Sequence, residues 1–178
     1  MKNTHFFAVA FSICAGSLFA QSNLQPSAQV AEAMGKIQFL AGNWKGSGWI
    51  QMGPQRHTFK QTETVAWHAN GTVLTIDGLG RDAADSTKII HQAFALICYD
   101  QAAGQYLLRA VRADGNHVDA DFSVQPDGSI VWGFVHPIAG RVRYTIRNAA
   151  GKWVESGEMS RDGQTWTPFL AMQLERVE

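Results

Sequence analysis

The side chains with the most chemical potential are polar groups on otherwise apolar segments: Gln61, Glu63, Tyr144, Glu155 and Arg176. Burying such groups without partners is costly, so they must be paired, hydrated or in contact with a bound molecule. Two readings stand side by side. In one, they line a small internal cavity and orient the polar end of an amphipathic ligand. In the other, a Glu–Arg–Tyr network only staples the fold, and Arg176 already has a structural task against Trp44. Glu63 and Glu155 also form a conceivable acid–base pair for hydrolysis.

Other patterns carry less. His117-x-Asp119-x-Asp121 puts three potential metal ligands on one strand face, but neighbours on one face stand about 6.6 Å apart, too far to share one ion without bending. A solvated outer face explains them. Arg141-x-Arg143 with Arg147 reads as an outer stripe balanced by Glu158, and alternatively as a docking patch for an anionic partner. His57, His68 and His91 read as surface or rim residues. Cys98, between Ile97 and Tyr99, reads as a buried core thiol. No Gly-x-Ser-x-Gly elbow is present. The search for a nucleophile with its base therefore favours a non-enzymatic role, and no cofactor or metal is implied.

The positions of these residues follow from the elements that carry them. After Trp44 the sequence breaks into short alternating runs separated by turn signals. Ten strands are predicted, over about 43–52, 57–69, 72–80, 88–99, 105–113, 117–125, 129–136, 141–147, 152–160 and 164–176. No strand is followed by a helical pattern, so an antiparallel meander barrel is expected. Between 28 and 39, Val30, Met34 and Ile37 recur at helical spacing after Pro26 and Ser27, predicting a short helix broken near Gly35 that plugs the barrel.

Turn chemistry sets the faces. Asn70-Gly71 as a two-residue turn puts Trp67, Val65, Glu63 and Gln61 inward with Leu74, Ile76 and Gly78. Pro126-Asp127-Gly128 pairs Val124 with Ile130, Phe122 with Trp132 and Ala120 with Phe134, and brings His136 to the far end of that face. Asp162-Gly163 as a tight turn sets Met159, Gly157, Glu155 and Trp153 beside Trp166, Pro168, Leu170 and Met172, with Arg176 farther along the same face. A four-residue loop over 148–151 aligns Tyr144 with Glu155 and Arg141 with Glu158. The candidate cavity set is thus Gln61, Glu63, Trp67, Trp132, His136, Tyr144 and Glu155, and the candidate structural closure is Trp44 with Arg176.

Composition bounds the rest. Lys2 is the only charge before an apolar or small run from Phe6 to Ala20, a signal-peptide pattern too short for a comfortable membrane span. The expected organisation is a signal peptide over 1–20, a leader and short helix over 21–36, and a barrel over 37–178. The mature chain is then periplasmic or secreted, with no membrane span. Cleavage removes one of 15 basic residues and leaves 15 acidic ones, a net of −1 with no surplus to attract nucleic acid. Cys98 is the one cysteine left, so the core rather than disulfides must hold the fold. Six tryptophans and ten phenylalanines suit a β core.

Phe39-Leu40-Ala41-Gly42-Asn43-Trp44-Lys45-Gly46-Ser47-Gly48, after a short helix, opens the meander; Glu155 to Trp166, with Arg176 beyond, closes it. With Tyr99-Asp100 at the fourth strand's end, these motifs resemble the calycin superfamily of lipocalins and fatty-acid-binding proteins. Within it they resemble a bacterial lipocalin-like domain family of unassigned function, fold-related to the nitrobindins. The resemblance spans about 37–176. It implies a barrel in which Trp44 packs at the closed end and Arg176 lies across it. Nitrobindins hold haem with a late histidine; none follows His136 here, so that ligand is not carried over. The expected function is binding of a small hydrophobic or amphipathic molecule. The alternatives are an enzyme using the same cavity and a ligand-free interaction module, with the oligomeric state open.

Overall fold

A computed structural model describes residues 24–178. The expected signal peptide and the start of the leader lie outside the described residues. Helix α1 spans Ala28–Gly35; its N-cap is Ser27, whose hydroxyl accepts from the Val30 amide at 3.3 Å. A short 3-10 turn over Gln38–Leu40 leads into the barrel. The strands are β1 Gly42–Met52, β2 Gln55–His68, β3 Val73–Asp82, β4 Ile89–Asp100 and β5 Gln105–Arg112. They continue as β6 His117–Val124, β7 Ile130–His136, β8 Gly140–Ala149, β9 Lys152–Ser160 and β10 Thr167–Val177. Each strand pairs antiparallel with the next, and β10 pairs with β1, giving a closed ten-stranded meander barrel. Closure removes the exposed sheet edges that would otherwise invite pairing with another chain.

The β1–β10 seam depends on small residues. A Cβ at Gly46 would lie 2.0 Å from the Gln173 carbonyl oxygen, so only glycine lets the two backbones approach this closely. One end of the barrel is plugged. Met34, Ile37 and Leu40 descend into it and pack with Trp44, Val65, Leu74, Ile97, Trp153 and Leu174, all nearly or fully buried. The Tyr106 hydroxyl, on β5, donates to the Ala33 carbonyl at 2.6 Å and ties the helix to the wall. Trp44 donates from Nε1 to the Leu40 carbonyl at 2.7 Å and meets Trp153 edge-on at 5.8 Å. The Arg176 guanidinium stands 4.3 Å from the Trp44 ring centroid and donates to the Ala41 and Phe39 carbonyls. It does so from the exposed side of the closure rather than from the interior.

Two registers differ from expectation, and a third ladder, with Phe122 opposite Trp132 and Val124 opposite Ile130 as expected, is shorter than expected. The β8–β9 turn is two residues, Ala150 (φ 52°) and Gly151 (φ 83°), so Tyr144 faces Gly157, Ile146 faces Glu155, and Arg143 rather than Arg141 meets Glu158. The link from β9 to β10 is longer than a two-residue turn and is followed by a bulge between Pro168 and Leu170, which puts Leu170 opposite Gly157 and Met172 opposite Glu155. Trp166 is consequently not an inward neighbour of Met159; Arg143, which pairs with Glu158, stacks over it at 3.8 Å. The β6–β7 ladder ends at Asp121–Gly133, so the expected Ala120–Phe134 pair does not form and the strands part toward the open end. The β2–β3 register is as expected, but the turn is a four-residue 3-10 connection over 69–72 rather than a two-residue hairpin. Cys98 also differs. Ile97 takes the inward position, and Cys98 is half-buried on the outer face opposite Leu107.

Candidate functional site

A cavity of about 880 Å³ occupies the barrel between the helical plug and the open end. It exists because the inward residues of β3–β5 are small: Gly78, Ala93, Ala95 and Ala110 line it where larger side chains would fill it. The opposite wall is aromatic and aliphatic, with Trp132, Phe134, Tyr144, Phe169, Leu170 and Met172. Trp132 and Tyr144 stack face to face at 4.0 Å and 8°, as cross-strand partners on β7 and β8, and Phe169 meets Tyr144 edge-on at 5.5 Å. Such pairs hold their rings in fixed orientations and so make a rigid wall.

Four polar side chains stand on the inner surface. Gln61 and Glu63 project from alternate positions of β2, and across the ladder they face Gly80 and Gly78. Those glycines make their room. A Cβ at Gly78 would come within 2.5 Å of Glu63 Oε2, and one at Gly80 within 2.6 Å of Gln61 Oε1. The Gln61 amide donates to Glu63 Oε1 at 2.7 Å. Glu63 Oε2 is shut off from solvent and has no hydrogen-bond partner among the described residues. On the far side, Glu155 Oε2 accepts from Trp153 Nε1 at 3.0 Å. Tyr144 completes the group from β8.

Burial dominates the electrostatics. It pushes Glu63 from an ordinary 4.5 up to about 8; the Gln61 bond opposes the shift, and negative charge on Glu155 and Asp77 adds to it. Burial likewise raises Glu155 to about 7, partly offset by the indoles of Trp153 and Trp132. Burial and then the Glu155 charge move the Tyr144 hydroxyl far upward, so it stays a neutral donor at any physiological pH. Two carboxyls on one cavity therefore titrate close to neutrality; among the described residues neither has an ion-pair partner, and the Arg112 charge acts on Tyr144 instead.

The predicted residues separate into groups. Gln61, Glu63, Trp132, His136, Tyr144 and Glu155 all line the cavity. Trp67 does not; it packs against the plugged-end core. His136 sits at the mouth, where its Nδ1 accepts from the Ile138 and Ala139 amides at 3.2 and 3.1 Å, which shapes the β7–β8 turn. Arg176 and Trp44 belong to the closure and do not line the cavity. In the His117-x-Asp119-x-Asp121 pattern, Asp119 is held by Arg109 at 2.6 Å on the outer surface while His117 reaches the cavity rim. Arg112, Asn116 and His91 also line the mouth. Partial desolvation at the mouth, with the Arg112 charge, holds the otherwise exposed His91 below the usual histidine range. Their shared location at strand ends on one rim was the only sequence signal for them.

No protein-family model matches the chain, and no curated protein sequence does. The barrel is similar to solved structures. One is Rv2717c from M. tuberculosis, with a TM-score of 0.62 and 20% identity over 84% of this chain and 99% of that one. Another is the S-type phycobiliprotein lyase CPES from Guillardia theta, with a TM-score of 0.59 and 10% identity over 84% of this chain and 93% of that one. These neighbours and the ten-stranded antiparallel barrel fit a calycin-like fold. At such identities the likeness speaks to fold, and the site must be argued from its own residues.

Proposed function

We propose that this protein is an exported barrel that binds a small hydrophobic or amphipathic molecule in its cavity. The apolar body of the ligand lies along Trp132, Phe134, Phe169 and Met172, and its polar end meets Gln61, Glu63, Tyr144 and Glu155. The observation that carries this reading is the unfilled cavity of about 880 Å³. Ligand pockets span about 300–1,000 Å³, with apolar walls and a few convergent polar groups. A barrel that worked only through its outer surface would gain stability from filling that space. Small-molecule work on this fold is suggested by analogy with the neighbouring phycobiliprotein lyase. Export is supported by Lys2 and the apolar run that ends near Ala20.

A second reading is favoured by one observation: two buried carboxyls that line one cavity, at about 8 and about 7, suit general acid–base work at neutral pH. Native mass spectrometry of protein recovered from its own export pathway separates the outcomes. A co-purifying small molecule, lost in an Ala95→Trp variant that fills the cavity, establishes binding. A bound molecule converted to product, with conversion abolished by Glu63→Gln or Glu155→Gln, establishes the enzyme. Protein that is consistently empty and fails to enhance the emission of a neutral lipophilic dye such as Nile red overturns both.

A further inference from the structure

We infer that the ligand's buried end is an N–H donor, best an ammonium group, rather than a carboxylate. This deepens the binding function proposed above and rests on it. The inner polar group is rich in acceptors. With the carboxyls ionised it offers both oxygens of Glu63, both of Glu155 and the Gln61 carbonyl, against the Tyr144 hydroxyl and two committed donors, the Gln61 amide to Glu63 and the Trp153 indole to Glu155. Glu63 is 7% exposed and Glu155 6%, and among the described residues Glu63 Oε2 has no partner.

The missing element is a cation. Among the described residues, the basic side chains that line the cavity (Arg112, with His91, His117 and His136) lie at the mouth, at the opposite end of the strands from the plug. The one basic residue in the closure, Arg176, is on the outer side of Trp44 and bonds the Ala41 and Phe39 carbonyls. Once they ionise, a carboxylate sent to the inner group would face two carboxyls, and the one cationic charge felt there is that of Arg112, which acts on Tyr144 and on neither carboxyl. An ammonium group would neutralise one, bond Oε2 and take further acceptors with its other hydrogens. Its chain would run along the aromatic wall toward the mouth, where the basic rim leaves room for a second, acidic or neutral, substituent.

The test compares three ligands of one chain length: dodecylamine, dodecan-1-ol and dodecanoate. Each is titrated calorimetrically below its critical micelle concentration into the mature protein and into the Glu63→Gln and Glu155→Gln variants. Dodecylamine is expected to bind at least tenfold tighter than the other two at pH 8, and to lose at least tenfold of its affinity between pH 8 and pH 6. Below about 8 the Glu63 proton must leave for the ion pair to form, so binding at pH 7 releases a proton to the buffer. Glu155, Tyr144 and Asp77 share the field of Glu63, and the mouth groups His91, His117, His136 and Arg112 add charge as pH falls. The difference between wild type and variants isolates the inner carboxyls from that rim, because the rim is common to all. Equal or tighter binding of dodecanol or dodecanoate at pH 8 overturns the inference and leaves the binding function standing. An amine preference kept in both variants also overturns it. Binding of none of the three overturns the binding function itself. If Glu63→Gln fails to fold, the wild-type pH profile and proton release, with Glu155→Gln, decide the matter.

Discussion

Glu63→Gln should make the protein progressively more stable than wild type as pH rises. Glu63 is an ordinary carboxyl in the unfolded chain, at 4.5, and about 8 in the barrel. Between those values the folded state holds a proton that the unfolded state has lost. Wild-type stability therefore falls as pH rises from about 4.5 and levels above about 8, the reverse of a salt-bridged carboxylate. At 1.36 kcal/mol per unit the full span corresponds to about 5 kcal/mol. Water entering the cavity mouth and relaxation of Gln61 reduce this, so a few kcal/mol is the expected size. Glutamine keeps the shape, and its carbonyl still accepts the 2.7 Å bond from Gln61, while its new N–H₂ near Gly78 adds a fixed, pH-independent cost of about 1–2 kcal/mol.

Urea unfolding followed by tryptophan emission, for both proteins at half-unit steps from pH 4.5 to 9, measures the difference directly. Titrating groups remote from Glu63 are common to the two proteins and cancel in the difference, and the coupled carboxyl of Glu155 is controlled by repeating the comparison in a Glu155→Gln background. The variant should be slightly less stable than wild type at pH 4.5 and clearly more stable by pH 8, with the crossover between. A difference that stays flat across this range would refute the assignment of Glu63 as a carboxyl without a cationic partner. A difference of the opposite slope would mean that a cation stabilises its charge in solution.

Trp44→Ala removes a fully packed ring from between Leu40, Trp153 and Arg176, and should cost roughly 3–5 kcal/mol in thermal or urea unfolding. Arg176→Met should cost about 1–3 kcal/mol through the lost carbonyl bonds while leaving affinity for any cavity ligand unchanged in calorimetry. Gly78→Ala should destabilise by about 1–3 kcal/mol, because its methyl collides with Glu63 Oε2; adding Glu63→Ala should recover most of that loss in a double-mutant cycle.

The sequence disclosed the faces of the barrel better than its pairings, and the reason is the parity of β structure. Turn chemistry placed Tyr144, Glu155, Leu170 and Met172 on the inner face, and they line the cavity. Yet Glu155 pairs with Ile146 and Met172 rather than with Tyr144 and Leu170. Both registers were displaced by two residues, and a displacement of two preserves the face while one of one would invert it. The displacement came from local backbone choices that carry no strong dipeptide signal: a turn at Ala150-Gly151 and a bulge near Phe169. Trp67 and Arg176 show a second limit. Both continue inward-facing periodicities, but period two says nothing of height along the strand, and both fall at the plugged end beyond the cavity. The cavity itself had a signal that face assignment alone does not use. Gly78, Gly80, Ala93, Ala95 and Ala110 are inward positions on three consecutive strands, and a run of small residues on one inner wall opposite a wall of rings leaves volume unfilled. Read as a pair, the small wall and the aromatic wall locate the void. The two carboxyls that face it without a cation then give the void a polarity that the apolar pattern alone could not supply.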